Sequence, residues 1–75
     1  MLEWKLGYNG MWLYKDGKNI GMIATIVNSP AQLSKIEYHW YELINGLDDN
    51  YGGVEPTLAL AASALLDWLK RRNHI

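Results

Sequence analysis

Side chains that could perform acid–base or metal chemistry are few and widely separated in this sequence. His39 and His74 are its only histidines, and neither has a second ligand at the short spacing that a metal site requires. Cysteine does not occur, which removes disulfides, thiolate zinc sites and cysteine nucleophiles. Ser29, Ser34 and Ser63 lie outside the strand–turn–helix context that exposes a nucleophilic serine. We therefore expect no catalytic residue, no metal site and no cofactor.

An acidic, glycine-bearing segment, Asp48-Asp49-Asn50-Tyr51-Gly52-Gly53, superficially resembles a calcium loop. An EF-hand loop ends in a bidentate glutamate, and the corresponding position counted from Asp48 is Ala59. The two glycines are not followed by the Lys-Ser/Thr pair of a phosphate-binding loop. We interpret the segment as a solvated loop, in which Asp48, Asp49 and Tyr51 are secondary candidates for contact with a partner.

A short basic run, Lys70-Arg71-Arg72, falls in the last turn of a predicted helix. Basic residues there complement the negative end of the helix dipole, and phosphate contact is the alternative. Across the chain, 7 basic and 8 acidic side chains give a formal net charge of −1, which provides no bulk attraction to nucleic acid or anionic lipid. We keep Lys70, Arg71 and Arg72 as secondary candidates and expect no nucleic-acid partner.

The composition is that of one small globular domain. The 75 residues are 49% apolar and 12% aromatic, which is too apolar for disorder, and no apolar run reaches the ~20 residues of a membrane span. Met1-Leu2-Glu3 does not begin a secretory signal. We expect a single domain over residues 1–75, located in the cytoplasm and without membrane contact.

A chain this short needs an additional source of stability, because it buries only about 60% of its unfolded surface. Four tryptophans and five tyrosines supply large rings, each of which buries ~150–250 Å². Dense aromatic packing or oligomerisation must therefore supply the stability, and we expect self-association into a homodimer.

Alternation and turn signals predict an antiparallel meander in the first half of the chain. From residue 2 to residue 8, apolar side chains alternate with polar ones or glycine, which is the period of a half-buried strand. Asn9-Gly10 and Asp16-Gly17 are favoured in two-residue hairpin turns, because both positions require positive φ. These turns delimit a second strand from Met11 to Lys15 and a third from Lys18 to Val27.

The register that follows from these turns places Trp12 between two glycines. If the residues flanking each turn pair with one another (Tyr8 with Met11 at the first), Trp12 lies opposite Gly7 on one side and Gly21 on the other. An indole lies flat across a glycine in a neighbouring strand. The opposite face then forms the core, and its members are Leu2, Trp4, Leu6, Tyr8, Met11, Leu13, Ile20, Met22, Ala24 and Ile26.

The face with Trp12 is the predicted partner-binding site. Exposed tryptophan and tyrosine side chains dominate the energetics of protein interfaces. Only one helix is predicted outside the segment 29–46, so this face needs another cover: that segment, a second subunit or a target protein. The predicted site consists of Trp12, Tyr14, Ile23 and Val27, with Lys5 and Lys18 as a polar rim.

Residues 29–46 permit two interpretations. Ser29-Pro30-Ala31-Gln32 matches a helix start, with serine as the N-cap and proline in the first turn. Lys35 to Ile44 is rich in β-favouring residues, and a fourth strand would cover the edge of the third. We favour a strand from Lys35 to Ile44, followed by a loop from Asn45 to Glu55.

The last element is a helix from Pro56 to about Arg72. Its apolar residues sweep an arc of roughly 200°, wider than the ~100° stripe that docks on one sheet. The predicted fold is therefore α+β: an antiparallel β-meander of three to four strands with one C-terminal α-helix packed on one face.

The order of these motifs resembles that of small phage and prophage accessory proteins. The motifs are Trp4, Asn9-Gly10, Trp12-Leu13-Tyr14, Asp16-Gly17, Ile20-Gly21 and Ile23, followed by Ala64-Leu65-Leu66-Asp67-Trp68-Leu69. The resemblance implies a protein that binds and disables a bacterial host protein in the host cytoplasm, as anti-CRISPR and other anti-defence proteins do. It implies no particular site residue.

We expect a non-enzymatic protein-binding module that acts by steric occlusion. Two alternatives remain open. One is a small oligomer that binds nucleic acid or a nucleotide signal through aromatic stacking and the basic run. The other is a structural subunit whose apolar surface serves only self-assembly.

Overall fold

The computed structural model describes residues 1–28, 35–44 and 48–75. Within these ranges the chain forms five β-strands followed by one α-helix. The elements are β1 Leu2–Leu6, β2 Gly10–Lys15, β3 Lys18–Asn28, β4 Lys35–Ile44, β5 Asp48–Glu55 and α1 Leu58–Arg71. All neighbouring strands are antiparallel, in the order β1-β2-β3-β4-β5. The α+β meander with a C-terminal helix is confirmed, but the sheet has five strands rather than three or four.

The segment after β3 accounts for the additional strand. β4 covers Lys35–Ile44, as its β-favouring residues predict. The predicted loop from Asn45 to Glu55 is wrong, because Asp48–Glu55 forms β5 along the outer side of β4. The alternative helix start at Ser29-Pro30-Ala31-Gln32 lies outside the described residues.

Glycines in β5 accommodate the aromatic rings of β4. A β-carbon at Gly53 would lie 2.8 Å from Nε1 of Trp40, and one at Gly52 would lie 2.8 Å from Cδ1 of Tyr41. Successive residues of a strand point to opposite faces, so the glycine pair makes room for one ring on each face. Glycine is therefore a strand residue here, although in sequence it is typical of a loop.

The first turn lies one residue earlier than predicted. The N–H of Gly7 donates to the carbonyl oxygen of Gly10 at 2.7 Å, so residues 8–9 form the turn. Gly10 is already in β2, where an added β-carbon would strike the backbone of β3. Met11 consequently pairs with Leu6, whereas the prediction paired it with Tyr8.

The second turn is confirmed. Asp16 and Gly17 both have positive φ, 52° and 82°, and Lys15 pairs with Lys18 across them. The amino group of Met1 donates to the Asp16 carboxylate at 2.5 Å, and this hydrogen bond lowers the pKa of Asp16.

A β-bulge at Ile20 alters the orientation of β3. The pairing with β2 passes from Asn19 directly to Gly21, so Ile20 is the extra residue. Ile20 and Ile23 are both buried, at 8% and 1% exposure. A regular strand would point these two side chains to opposite faces, whereas the bulge lets both of them enter the core. The Asn19 side chain accepts a hydrogen bond from the N–H of Gly21 at 3.3 Å.

Beyond the bulge, the faces predicted for β3 are wrong. Ile23 packs in the core with Leu65 of the helix. A β-carbon at Gly21 would lie 2.9 Å from Leu65, so this glycine lies under the helix and not beside Trp12. The residues that change face relative to the prediction are Gly21, Met22, Ile23, Ala24, Thr25, Ile26 and Val27.

The helix closes the core on one side of the sheet. Thr57 is its N-cap, and the Thr57 Oγ1 accepts a hydrogen bond from the N–H of Leu60 at 3.1 Å. α1 packs over β3, β4 and β5. In the described ranges, no helix has both the length and the apolar character to cross a membrane. We call the covered side the helix face; its buried core consists of Leu13, Ile20, Ile23, Trp40, Ala61, Leu65 and Leu69.

Candidate functional site

The side of the sheet opposite the helix carries a row of side chains on β1, β2, β3 and β4, and the row ends at a glycine of β5. Cross-strand pairing aligns Lys5, Trp12, Met22, Tyr41 and Gly52, and antiparallel partners point to the same face. Trp12, Met22 and Tyr41 are half-buried, so each of them presents part of its surface to solvent. We call this side of the sheet the Trp12 face.

Tyr14 and two charged residues extend this row toward the β2–β3 turn. The Nζ of Lys5 lies 4.7 Å from the centroid of the Tyr14 ring, which is a cation–π contact. Glu3 pairs with Tyr14 across the β1–β2 ladder. Lys5 therefore has a carboxylate, that of Glu3, two residues away on its own strand and on the same face.

A concave site adjoins Trp12. A cavity of about 170 Å³ opens beside the β1–β2 turn and is lined in part by Trp12, Met22 and Ala24. A cavity of about 150 Å³ holds a benzene ring, so this one has the volume to receive an aromatic or branched side chain. The backbone of Gly7 lies against the Trp12 indole, although the residue directly opposite Trp12 is Lys5 and not Gly7 as predicted. This contact positions the ring at the edge of the cavity.

The far end of the Trp12 face carries a histidine and a glutamate beside an exposed valine. The Nε2 of His39 lies 3.2 Å from Oε1 of Glu37, and Val54 lies across from His39 with 50% exposure. His39 thus has an acidic neighbour on its own strand. Among the described residues, no group of three or more acidic or histidine side chains could hold a metal ion.

Three of the predicted partner-binding residues, Lys5, Trp12 and Tyr14, lie together on the Trp12 face. Ile23 is buried in the core at 1% exposure, so its predicted place beside Trp12 is wrong. Val27 is 57% exposed but belongs to the helix face. The bulge in β3 is the physical reason for both corrections.

Lys18 also lies away from the Trp12 face. It pairs with Lys15 across the second turn, and the Lys15 Nζ donates to the carbonyl oxygen of His74 at 2.8 Å. Lys15 shares the side of β2 with core residue Leu13, and antiparallel partners share a face. The predicted rim position of Lys18 is therefore wrong.

Met22 and Tyr41 are the members of this surface that sequence reasoning missed. Alternation along β3 assigns Met22 to the core, and nothing in the local sequence marks the bulge that reverses it. Tyr41 could have been found, because alternation within β4 separates it from the neighbouring Trp40.

The side chain of Tyr51, a candidate from the acidic segment, lies away from Trp12. Asp48 and Asp49 occupy positions in β5, and their side chains lie outside the described residues. Tyr51 stacks on Trp68 of the helix, with 4.0 Å between ring centroids and 15° between ring planes. Tyr51 therefore lies on the helix face.

Two residues of the basic run are held by acidic partners. Arg71 forms an ion pair with Asp67 at 2.8 Å, and the Arg72 Nε lies 3.7 Å from a carboxylate oxygen of Glu42. Lys70 is exposed on the helix. The acidic partners of Arg71 and Arg72 reduce the local positive charge, and contact with phosphate requires that charge.

A buried carboxylate ties the end of the helix to the sheet. Glu42 is 2% exposed, and its Oε1 accepts a hydrogen bond from the Nε1 of Trp68 at 2.8 Å. Its Oε2 lies 2.9 Å from the Nε2 of His74. A buried charge persists only with such partners, so we assign this cluster to stability.

Comparison with known proteins adds no relative from which a site could be transferred. The chain matches no protein-family model, no curated protein and no solved structure. The geometry and chemistry of the Trp12 face are therefore the basis on which a function can be proposed.

Proposed function

We propose that this chain is a non-enzymatic module that binds another protein through the Trp12 face. The observation that carries the proposal is the continuous row of half-buried Trp12, Met22 and Tyr41 on the sheet side opposite the helix. Large rings supply contact area at a low cost in side-chain entropy, and such anchors carry most of the energy of protein interfaces. Tyr14 enlarges the apolar centre, and Lys5 supplies a polar edge.

The charge distribution favours a protein over a nucleic acid as the partner. A base-stacking platform is surrounded by cations that contact phosphates. Here Lys5 has Glu3 on its own strand, and two of the three residues in the basic run pair with acidic groups. A protein with an apolar side chain for the cavity beside Trp12, and an acidic group near Lys5, would complement this face.

The resemblance to phage accessory proteins suggests the source of that partner. We propose a bacterial host protein, bound in the host cytoplasm and inhibited by steric occlusion of its working surface. This mechanism needs only a complementary surface, and the Trp12 face of the five-stranded sheet is the surface that we propose for it.

The test is affinity capture from a bacterial lysate with a matched pair of variants. Met22→Glu places a charge in the centre of the Trp12 face, and Val27→Glu places the same charge on the helix face. We expect a protein that is retained by the unmodified chain and by Val27→Glu, and lost with Met22→Glu. Retention by Met22→Glu, with loss by Val27→Glu, would contradict the proposal. Circular dichroism of both variants checks that they are folded.

A further inference from the structure

β1 is the outermost strand on its side of the described sheet. The N–H of Gly7 donates to the carbonyl oxygen of Gly10, so the odd-numbered residues of this segment bond to β2. Antiparallel ladders alternate, and the N–H and C=O groups of Leu2, Trp4 and Leu6 therefore point outward, away from β2. This outer row of backbone groups is a template for one more strand.

The side chains of β1 also favour an additional strand. Leu2 and Leu6 are 40% and 86% exposed on the helix face, with Trp4 packed against the core between them. α1 covers β3, β4 and β5, and a cavity of about 180 Å³ remains beside Trp4 and Leu58. Apolar surface therefore reaches the outer edge of the sheet.

We propose that β1 pairs antiparallel with β1 of a second copy of this chain, on a two-fold axis at Trp4. In this register Trp4 faces Trp4 of the second copy, so the outward backbone groups of both strands form hydrogen bonds. Leu2 lies opposite Leu6 of the second copy on the helix face. Glu3 lies opposite Lys5 of the second copy on the Trp12 face. Each opposite-charge pair occurs twice, because the contact is isologous.

Charge selects this register over its neighbours. A slip of one residue would set outward groups against residues whose N–H and C=O point inward, and the hydrogen bonds would be lost. The next symmetric registers have the two-fold axis at Glu3 or at Lys5. The first places Glu3 opposite Glu3 of the second copy, and the other places Lys5 opposite Lys5 of the second copy. Like charges directly opposite one another are destabilising. The alternating charges of β1 therefore favour the pairing centred on Trp4 and oppose the two symmetric registers nearest to it.

The other edge of the sheet does not offer the same complementarity. β5 spans Asp48–Glu55 and contains three acidic residues and no lysine, arginine or histidine. Two copies of β5 would bring together acidic strands that have no basic residue to oppose them. Pairing of β1 with β5 of another copy would be head-to-tail and would extend into open chains rather than close as a dimer.

The two-fold axis is perpendicular to the sheet, so it sets the arrangement of the faces. Both helices lie on one side of a continuous ten-stranded sheet, and both Trp12 faces lie on the other. The dimer therefore leaves the aromatic row around Trp12 available in two copies, while Lys5 at its edge pairs with Glu3 of the second copy. The inference does not depend on the proposed function, since it concerns the isolated chain.

Charge reversal tests the pairing by sedimentation equilibrium of the isolated chain at micromolar concentration and low salt, where exposed charges are least screened. We expect a dimer for the unmodified chain. Glu3→Lys and Lys5→Glu should each raise its dissociation constant by about tenfold or more, because each reversal makes both symmetric pairs repulsive. The double variant Glu3→Lys/Lys5→Glu should restore the dimer. A monomeric unmodified chain, larger assemblies, or a failure of the double variant to restore the dimer would overturn the inference.

Disulfide trapping provides a second readout that leaves the charges in place. The chain has no cysteine, so Leu2→Cys and Leu6→Cys each introduce a single thiol. Directly opposite residues in a hydrogen-bonded pair lie about 5.5 Å apart at Cα, which is within the range of a disulfide. A mixture of the two variants should cross-link under mild oxidation, and either variant alone should not. Equal cross-linking in all three samples would overturn the register.

Discussion

Trp68→Phe is expected to lower the free energy of unfolding by about 1.5–3 kcal/mol, because it removes a hydrogen bond to a buried carboxylate. The Nε1 of Trp68 donates to Glu42 at 2.8 Å, and Glu42 is 2% exposed. Phenylalanine retains an aromatic ring against Tyr51, which stacks on Trp68. Thermal denaturation should show a fall in melting temperature of roughly 6–24 °C for a domain of this size.

Glu42→Gln provides the background that separates the hydrogen bond from packing. Glutamine has a similar shape and accepts a neutral hydrogen bond, which contributes about 0.5–1.5 kcal/mol. Trp68→Phe should therefore cost less in this background, and the difference measures the coupling of the two side chains. An equal cost in both backgrounds would show that lost packing, rather than the charged hydrogen bond, causes the destabilisation.

Trp12→Ala and Tyr14→Ala are each expected to weaken partner binding by about thirtyfold or more, the equivalent of ~2 kcal/mol. Both side chains project from the same side of β2, and both are half-buried in the free chain. Each truncation removes an aromatic anchor and leaves the core on the helix face intact. Titration calorimetry with the purified partner measures the dissociation constants.

Matched truncations elsewhere show whether the effect is local. Val27→Ala and Ile36→Ala remove exposed apolar groups from the helix face and should leave the affinity unchanged. Asp48→Ala/Asp49→Ala should also have a smaller effect than the two aromatic truncations. If that acidic variant loses the partner while Trp12→Ala and Tyr14→Ala retain it, the binding site is on β5. Native circular dichroism is required of every variant.

Local sequence signals predicted the elements whose formation depends on local chemistry. Asp16-Gly17 forms its turn with positive φ at both residues, because these types tolerate that conformation. The β-favouring residues of Lys35–Ile44 form a strand with the predicted bounds. Trp12 and Tyr14 share a face because a strand has a period of two residues. Their proximity could therefore be predicted from the sequence of β2 alone, without the pairing of β2 with its neighbours.

The features that were not predicted, the bulge in β3 and the glycine-containing strand β5, depend on packing between elements that are distant in sequence. The bulge at Ile20 exists because Ile20 and Ile23 both reach the core, and the helix that receives them is distant in sequence. Gly52 and Gly53 resemble loop residues until the Trp40 and Tyr41 rings are placed over them. The composition of the Trp12 face across β3 and β4 depends on these long-range contacts.

The most direct test of this account is whether the partner covers the Trp12 face. Met22→Cys and Val27→Cys each place a single thiol in a chain without cysteine, on opposite faces of the same strand. The rate of thiol labelling is measured for each variant with and without saturating partner. We expect bound partner to slow labelling at Met22→Cys and to leave the rate at Val27→Cys unchanged. Slower labelling at Val27→Cys, with an unchanged rate at Met22→Cys, would contradict the account.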